Sequence, residues 1–458
     1  MSGTKHARKG IAMVDVREPE IKKLIKKRDW DALRALAESW PMPELADLLA
    51  DLPKPAGTIL FRSLPKRIAA EVFSFLERST RDAFLKELTD EETRTLLAGL
   101  SPDDRTSFLE ELPERDRQRL LNLLGPAERA EARTLLSYPE DSAGRLMTPE
   151  YVAVRPDWTI GQTIAHVRRM GRDSETIDAI YVTDAAWKLL GVISLRQVVL
   201  AEPAETVAGL MITPAISVSA FDDREAAALG MERYDLTVLP VVDSDGVLVG
   251  IVTADDVLDV AVEEATEDIQ KAAAVAPLEI GLKEASASLL YRKRILWLVA
   301  LVFVNAVSGG IMARFEATIA ALVPLVFFLP LLIDSGGNAG SQSATLMIRA
   351  MAVGEIRTND WASLLLKEAG VSTALGLTTG LVAWGMGIWR GGFALGLVVG
   401  LSMFLVVVLG SLIGVSIPLL LKKLKLDPAT ASSPLITTVI DVAGVLLYFS
   451  VAAMILDQ

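Results

Sequence analysis

The sequence contains no cysteine and only two histidines, His6 and His166, among its 458 residues. Disulfide bonds, thiolate zinc sites and iron–sulfur clusters are therefore excluded, as are most histidine-based catalytic and transition-metal sites. The formal net charge of −12 lacks the basic excess of nucleic-acid-binding proteins and is compatible with attracting metal cations. A P-loop of the form Gly-x-x-x-x-Gly-Lys-Ser/Thr is also missing. We therefore expect neither an enzyme nor an ATP-driven pump with its own P-loop.

Long apolar runs are concentrated after residue 290, whereas most acidic residues lie before it. This division predicts an acidic soluble part followed by a membrane part. Hydropathy predicts five spans, over residues 295–313, 317–347, 364–389, 393–421 and 434–456. Basic residues in two of the connections, including Arg349 and Arg357, favour a cytoplasmic N-terminal part. The basic segment up to about residue 30 is interpreted as a solvated first helix.

Leucine recurs every twelve residues from Leu52 to Leu136, and apolar pairs such as Leu60 and Phe61 recur in the same phase. Capping residues, proline and early acids separate the repeats, as in the stretch that begins at Thr89. The pattern predicts one short helix and a turn per repeat, stacked into an all-α solenoid.

Residues 140–262 contain two copies of a helix-and-strand pattern. The first copy includes AIYVTD and LLGVISLRQVV, and the second includes LTVLPVVDSDGVLVGIVTADDVL, whose DSDG turn predicts a hairpin. The tandem resembles a pair of CBS domains, which implies ligand sensing, often of an adenosine nucleotide such as ATP. Arg196 is the candidate nucleotide contact. In the first copy, however, Gln197 stands where nucleotide-binding relatives have an Asp, and Ala179 where they have a stacking aromatic residue.

An acidic helix is predicted directly after the second copy. Its like charges repel at i,i+3 and i,i+4 spacing, which bound cations would relieve, although a solvated acidic face is the simpler interpretation. The acids concerned are Asp256, Asp259, Glu263, Glu264, Glu267 and Asp268.

Two of the predicted spans carry carboxylates. The fifth span contains Asp441, with Thr437 and Ser433 one and two turns earlier, and the second contains Asp334 with Asn338 on one helical face. Such residues cannot face lipid, so they line a wet cavity or bind neighbouring helices. Oxygen ligands without histidine or cysteine favour Mg²⁺ or Ca²⁺.

The segments GGNAGSQSATL, DPATASSPLITTVIDVAG and ATEDI resemble the MgtE family of magnesium channels, and the resemblance covers essentially the whole chain. It implies a multidomain homodimer in contact with membrane lipid, in a bacterial inner membrane, with cytoplasmic N-terminal domains. The implied parts are an N-terminal helical solenoid (1–140), an α/β tandem CBS pair (141–201 and 202–262), a connecting plug helix (263–290) and a five-helix transmembrane domain (291–458).

The resemblance also implies that Mg²⁺ enters the cytoplasm through a pore lined by the second and fifth spans. The candidate pore residues are Asp441, Asp334, Thr437, Ser433, Gly337, Asn338 and Ser341. Four of them depart from well-known members, which have Gly at Asp334, Asn at Ser341 and Ser433, and Ala at Thr437. Cytosolic Mg²⁺ bound between the acidic domains is expected to close the pore. The candidate regulatory residues are Glu71, Asp103, Asp223, Glu225, Asp235, Asp256, Asp259, Glu264, Glu267 and Asp268.

Two other functions are compatible with the residues. In a coupled secondary transporter, Asp441 or Asp334 would carry protons, and a broken glycine-rich second span would suit that mechanism. In a sensor without transport, the membrane part would only anchor the CBS pair, which leaves the polar face of the second span unexplained.

Overall fold

The computed structural model describes residues 40–456, apart from 279–280, 283–284, 354 and 357–359, and eight scattered positions between residues 23 and 35. Most of the basic N-terminal segment, predicted as a first helix, and Arg357 lie outside the described residues. The chain divides into two units, Met1–Ala261 and Val262–Gln458, and each is described by itself.

The first part of unit 1 is a stack of short helices. They are α1 (Met42–Asp51), α2 (Lys54–Ser63), α3 (Lys66–Ser74), α4 (Arg78–Glu87), α5 (Asp90–Ala98), α6 (Pro102–Glu110), α7 (Glu114–Leu123) and α8 (Pro126–Leu135). Their first residues are twelve positions apart, so the predicted repeat of one helix and one turn is confirmed. Phe61, Phe73, Phe84 and Phe108 contact one another in the core, with the Phe61 and Phe84 ring centroids 5.0 Å apart.

Helix α5 shows how a repeat begins. The Thr89 hydroxyl accepts a hydrogen bond from the Glu92 backbone N–H, and the Glu92 carboxylate accepts one from the Thr89 backbone N–H. This capping box satisfies two of the amides that the first turn leaves without helical partners. The acidic residue at this position therefore has a local structural role.

The second part of unit 1 repeats one topology twice. The first copy contains α9 (Ala143–Leu146), β1 (Ala153–Val154), α10 (Ile160–Met170), β2 (Ala179–Thr183), β3 (Leu189–Ser194) and α11 (Leu195–Leu200). The second contains α12 (Val207–Leu210), β4 (Val218–Ser219), α13 (Arg224–Tyr234), β5 (Val238–Val242), β6 (Leu248–Thr253) and the start of α14 (Ala254–Ala272). In each sheet the first two strands are parallel and the last two are antiparallel.

The hairpin predicted at the DSDG turn is confirmed. The Asp243 carboxylate accepts hydrogen bonds from the backbone N–H groups of Asp245 and Val247, both at 2.9 Å. Gly246 has a φ of +79°, which lies in the left-handed region that favours glycine. Asp243 and Gly246 therefore each satisfy a backbone requirement of this turn, one by accepting N–H groups and the other by its positive φ.

Unit 2 consists of long helices. After the end of α14 come α15 (Ala287–Arg314), α16 (Glu316–Ala321), α17 (Pro324–Ala352), α18 (Trp361–Lys423), a 3₁₀ turn (Pro428–Thr430) and α19 (Ser433–Leu456). In the described part of the chain, three of them, α15, α18 and α19, are long and apolar enough to cross a membrane by length and composition. Helix α17 has comparable length, with 29 residues, but carries the polar face.

One of the predicted spans needs correction. The expected span at 317–347 is not one helix, because α16 ends at Ala321 and α17 begins at Pro324, whose ring favours a first-turn position. The expected spans at 364–389 and 393–421 agree with the two helical halves of α18, which non-helical backbone at Gly391 and Gly392 separates. Gly392 has φ +82° and ψ −176°, a conformation essentially restricted to glycine.

The predicted connecting segment at 263–290 contains the end of α14 and the start of α15 rather than a single helix. Helix α14 is continuous across residues 262 and 263, so the predicted domain boundary falls inside it. The chain leaves this helix through Ala274, which has a φ of +56°.

Helix α17 packs closely against the second half of α18 through glycines. A Cβ atom on Gly340 would lie 2.8 Å from the Gly410 carbonyl oxygen, and one on Gly414 would meet the backbone of Gly340. Gly336 likewise faces Gly410. Because small residues let helix backbones approach, this stripe fixes one side of α17 against its neighbour.

Candidate functional site

The polar face of α17 is built from residues one turn apart. Asp334 and Asn338 are exposed in the single chain, and the Asn338 amide donates a hydrogen bond of 3.1 Å to the Asp334 carboxylate. Ser341, the next residue on this face, is partly buried. The glycine stripe of the preceding section lies on another side of the helix, which leaves this face away from α18.

Helix α19 approaches the same face. The Ser433 hydroxyl donates a hydrogen bond of 2.9 Å to the Ser341 hydroxyl. A Cβ atom on Gly337 would lie 3.1 Å from the Thr437 methyl group, so glycine allows the two helices to come together here. The seven predicted pore residues thus lie on two packed helices, and we call this set the polar seam.

Asp441 is the carboxylate of α19 in the polar seam. It lies one turn beyond Thr437, is partly buried, and is close enough to Asp334 for the two carboxylates to repel each other. The Tyr448 hydroxyl, two turns further along, donates to the Leu325 carbonyl oxygen at 2.9 Å. This buried hydrogen bond fixes α19 against the start of α17.

One chain supplies the seam with two carboxylates, together with hydroxyl, amide and backbone oxygens. Among the described residues no group of three or more histidine, cysteine, aspartate or glutamate side chains could hold a metal ion by itself. A hydrated hard cation suits such a site, because Mg²⁺ keeps several of its waters and takes only one or two carboxylates. A second copy of the chain would double the number of oxygen ligands.

A second group of acids lies within unit 1. Asp103 of α6 and Asp256 of α14 repel each other, and one buried carboxylate oxygen of Asp103 has no hydrogen-bond partner. Asp256 accepts a hydrogen bond of 2.7 Å from the Thr253 hydroxyl. Asp103 and Asp256 were predicted as regulatory residues, and they come together although 153 positions separate them in the sequence (256 minus 103).

Further acids surround this pair. The carboxylates of Asp104, Glu150 and Glu175 each repel that of Asp103. Sequence reasoning missed all three, because nothing in their spacing along the chain links them to Asp103. We call these five residues the acid cluster.

Burial is the main cause of the perturbed titration in the acid cluster. It raises the pKa of Asp256 to about 8, with repulsion from Asp103 as the next cause. Burial and repulsion from Asp104 raise the pKa of Asp103 to about 6. Burial and the neighbouring carboxylates raise the pKa of Glu175 to about 7. The cluster therefore disfavours its own negative charge unless a cation or protons compensate it.

Other predicted regulatory residues have local roles. Asp223 caps α13, where its carboxylate accepts the Glu225 backbone N–H at 2.9 Å. Asp235 ends the same helix in a left-handed conformation with φ +52°. Glu71 and Asp259 are exposed on α3 and α14. Glu225 also interacts with other groups of the protein and is not free.

The end of α14 carries Glu264, Glu267 and Asp268 in unit 2. The Lys271 ammonium group contacts Glu267 at 2.5 Å and Asp427 at 2.6 Å. The second carboxylate oxygen of Asp427 accepts the Ala429 backbone N–H at 2.8 Å, in the turn that precedes α19. Lys271 thereby joins α14 to the segment leading into the polar seam, and sequence reasoning assigned neither Lys271 nor Asp427.

The carboxylates around Lys271 perturb one another. Burial and then repulsion from Asp427 raise the pKa of Asp268, while Lys271 acts in the opposite direction. Hydrogen bonds to Asp427 and Glu267 raise the pKa of Lys271 despite partial burial. This group therefore combines one ammonium with several carboxylates in a small volume.

The first copy of the repeated topology has limited means of holding a ribose. Gln197 completes a capping box with Ser194, and its amide also donates to the Leu210 carbonyl oxygen at 3.2 Å. Its polar atoms are thus engaged within the fold. Arg196, the predicted nucleotide contact, is exposed on α11.

Comparison with family models matches three parts of the chain. Residues 329–451 match the MgtE divalent cation transporter, 40–141 match the MgtE intracellular N domain, and 143–203 and 207–263 match the CBS domain. Solved structures give a similar result. The cytosolic domain of the Mg²⁺ channel MgtE in complex with ATP has a TM-score of 0.51 and 42% identity, covering 53% of this chain and 99% of that one.

Another solved structure, the soluble part of a magnesium transporter, has a TM-score of 0.53 and 27% identity, covering 55% of this chain and 100% of that one. The magnesium transporter MgtE of Thermus thermophilus is 46% identical over 329 residues, or 72% of this chain and 73% of the relative. MgtE of Bacillus subtilis is 39% identical over 326 residues, or 71% of this chain and 72% of the relative. The chain therefore belongs to the MgtE family.

Proposed function

We propose that this protein transports Mg²⁺ across a membrane through the polar seam. Its relatives are named as transporters, so it belongs to a non-enzymatic family, and its apolar helices make it a multi-pass membrane protein. The observation that carries the proposal is the arrangement of α17 and α19, which brings Asp334 and Asp441 close together amid hydroxyl groups. Such carboxylates are costly in a membrane unless a cation or water accompanies them.

The finer proposal is a homodimeric channel for inward Mg²⁺ movement in a bacterial inner membrane, with lipid around its five predicted spans. Two seams would then face each other and supply four carboxylates. A divalent cation gains about 4–5 kcal/mol on entering at about 100 mV, inside negative, so inward flow requires no ATP. Helix α17 is continuous through its glycine-rich part, despite Pro330 and the break before Pro324, which supports a channel over a carrier whose glycine-rich segment is unwound.

The test is Mg²⁺ uptake in a bacterial strain without its own magnesium transporters, with expression checked. We expect Asp441→Asn to reduce the uptake rate about tenfold or more. Asp334→Asn should have a smaller effect, because Asn338 already engages that carboxylate. Glu316→Gln, at an exposed carboxylate outside the seam, is the matched control.

The outcome for Asp441→Asn decides the proposal. Full uptake by this variant would refute conduction through the seam and leave Asp441 as a structural residue. Uptake that follows the pH gradient and ignores membrane voltage would instead favour a proton-coupled transporter. No uptake by the wild-type chain, with intact expression, would favour a sensor without transport.

We further propose that cytosolic Mg²⁺ closes the channel by binding, as a hydrated ion that needs only two carboxylates, between Asp103 and Asp256 of the acid cluster. Repulsion between Asp103 and Asp256 opposes their approach, and a bound dication would reverse that effect. The predicted regulatory acids of unit 2, Glu264, Glu267 and Asp268, would hold Mg²⁺ separately from the acid cluster. Channel activity recorded at rising cytosolic Mg²⁺ tests this gating, and inhibition that persists in Asp103→Asn/Asp256→Asn would contradict it.

ATP is a proposed ligand of the CBS pair, since the cytosolic domain of one relative was crystallised with ATP. Arg196 is exposed and would contact phosphate, whereas Gln197 is held by the fold. Calorimetric titration of the full-length protein with ATP, compared with Arg196→Ala, tests the assignment. Equal affinity of the two proteins would remove Arg196 from the site.

A further inference from the structure

A carboxylate outside the polar seam contacts the back of α17. Glu368 lies in the first half of α18 and accepts a hydrogen bond of 2.6 Å from the Ser343 hydroxyl. Ser343 itself is buried, with 7% of its surface exposed. Because α18 is apolar enough to cross a membrane, the position of an ionisable side chain within it requires an explanation.

Ser343 lies opposite the polar seam on α17. It follows Asp334 by nine residues, which is about two and a half helical turns and therefore the opposite side of the helix. Its exposure agrees with this placement, because Asp334 and Asn338 are exposed whereas Ser343 is buried. Glu368 thus contacts α17 directly behind the residues that form the candidate pore.

The bond between Ser343 and Glu368 has the length of a charge-assisted hydrogen bond. The hydroxyl has one proton and two neighbouring acceptors, the Ala339 carbonyl oxygen at 3.0 Å and the Glu368 carboxylate at 2.6 Å. Hydroxyl bonds to an ionised carboxylate measure about 2.5–2.7 Å and are about twice as strong as neutral ones. The proton therefore goes to Glu368, and the bond crosses from one helix to the other.

The glycine stripe alone does not determine the rotation of α17. Gly336 and Gly340 allow close approach to α18 but offer no side chain that would resist rotation about the helix axis. A short hydrogen bond to a side chain on α18 supplies that restraint. Turning α17 would break it and leave the Glu368 carboxylate without this partner.

We propose that Glu368 is a positioning residue, which holds α17 at the rotation where Ser341 meets Ser433. The proposal depends on the function assigned to the polar seam, since positioning matters for transport only if the seam conducts. It assigns Glu368 no contact with the ion. Its amide analogue should therefore substitute for it, because a glutamine oxygen also accepts the Ser343 proton.

The natural absence of cysteine allows a direct test. In the full-length variant Ser341→Cys/Ser433→Cys, the two introduced thiols replace hydroxyls that are 2.9 Å apart. The rate of intrachain disulfide formation in native membranes, measured with a mild oxidant, then reports the rotation of α17. This readout is independent of transport, so failure of the positioning proposal is distinguishable from failure of the proposed function.

We expect Glu368→Ala to slow cross-linking about three- to tenfold, in line with the strength of interhelical hydrogen bonds. Glu368→Gln should stay within about twofold of the parent, since its bond to Ser343 is retained. Ser343→Ala removes the other partner of the hydrogen bond and should also slow cross-linking. It replaces Glu368→Ala as the test variant if Glu368→Ala fails to fold. Ser372→Ala is the control, because Ser372 is buried in α18 and, among the described residues, its hydroxyl donates to the Ala369 carbonyl oxygen of its own helix rather than to α17.

Transport provides the second readout. Glu368→Ala should weaken discrimination between Mg²⁺ and Mn²⁺ in uptake assays, whereas Glu368→Gln and Ser372→Ala should preserve it. Parental cross-linking rates in both Glu368→Ala and Ser343→Ala would overturn the proposal. Equal slowing by Glu368→Gln and Glu368→Ala would overturn it as well, because the charge rather than the hydrogen bond would then be required.

Discussion

Replacing Asp256 by asparagine tests the electrostatics of the acid cluster most directly. Asparagine has nearly the same shape and still accepts the Thr253 hydroxyl proton, but it carries no charge. We expect Asp256→Asn to stabilise the metal-free protein at neutral and higher pH. At the same time the variant should gain less stability from Mg²⁺, since one proposed ligand is lost.

The magnitude follows from the titration of Asp256. Burial and repulsion from Asp103 raise the pKa of Asp256 from 3.8 to about 8. The folded protein therefore binds more protons than the unfolded chain between these values, so the stability due to this group is present below about pH 4 and is lost as pH rises to about 8. At about 1.4 kcal/mol per pH unit the full effect is at most about 6 kcal/mol.

A smaller value is expected in practice. Asp256 is only partly buried, and Asp103 titrates with it, so the pair rather than one residue carries the penalty. We therefore expect Asp256→Asn to raise the free energy of unfolding at neutral pH by about 1–3 kcal/mol. For a unit of this size that corresponds to a rise of about 2–10 °C in the thermal midpoint.

Thermal unfolding of the purified full-length protein, with a chelator present and across pH 5 to 9, is the assay. The wild-type midpoint should fall as pH rises towards 8, and the Asp256→Asn profile should be flatter. Asp245→Asn, at an exposed carboxylate in the hairpin turn of the same unit, should follow the wild type. Parallel pH profiles for wild type and Asp256→Asn would refute the argument that the buried charge is costly.

Three further substitutions have distinct expected results. Lys271→Met should weaken the closure of the channel by Mg²⁺ about two- to fivefold in recordings, because it removes a partly exposed ion pair worth up to about 1 kcal/mol; unchanged inhibition would separate Lys271 from gating. Gly340→Val should lower stability by about 1–3 kcal/mol, since its side chain would collide with Gly410, and native yield after heating in detergent measures this. Tyr448→Phe should cost only about 1 kcal/mol by the same measurement, because it removes one hydrogen bond to Leu325 and leaves the packing intact; a loss as large as that of Gly340→Val would contradict this.

The features that the sequence predicts well are those with a regular spacing. The leucine at every twelfth residue indicates the helical repeat because each turn must bury its apolar pair against the next helix. The DSDG turn indicates its hairpin because Asp243 and Gly246 each satisfy a specific backbone requirement. In both cases the physical cause acts within a few residues of the pattern.

Long-range contacts were predictable only in part. Asp103 and Asp256 were assigned through a family resemblance, but Glu150 and Glu175 were not, because no local pattern brings them to the same place. The break before Pro324 was missed for another reason. Hydropathy averages over a window about as long as a span, so a two-residue interruption within an apolar run leaves little trace.

The two sides of α17 differ in how much their sequence indicates. On the front, Asp334 and Asn338 attract attention because polar groups are costly in lipid, and the segment was therefore recognised as functional. On the back, Gly340 and Ser343 resemble ordinary small residues of a membrane helix, and their importance becomes evident only through their partners on α18. In the proposed mechanism a cation meets the front, and the hydrogen bond from Ser343 to Glu368 holds the direction in which the front points. Substitutions behind α17 should therefore alter ion selectivity without touching the ion, whereas substitutions in front should alter the rate of transport while leaving the helix in place.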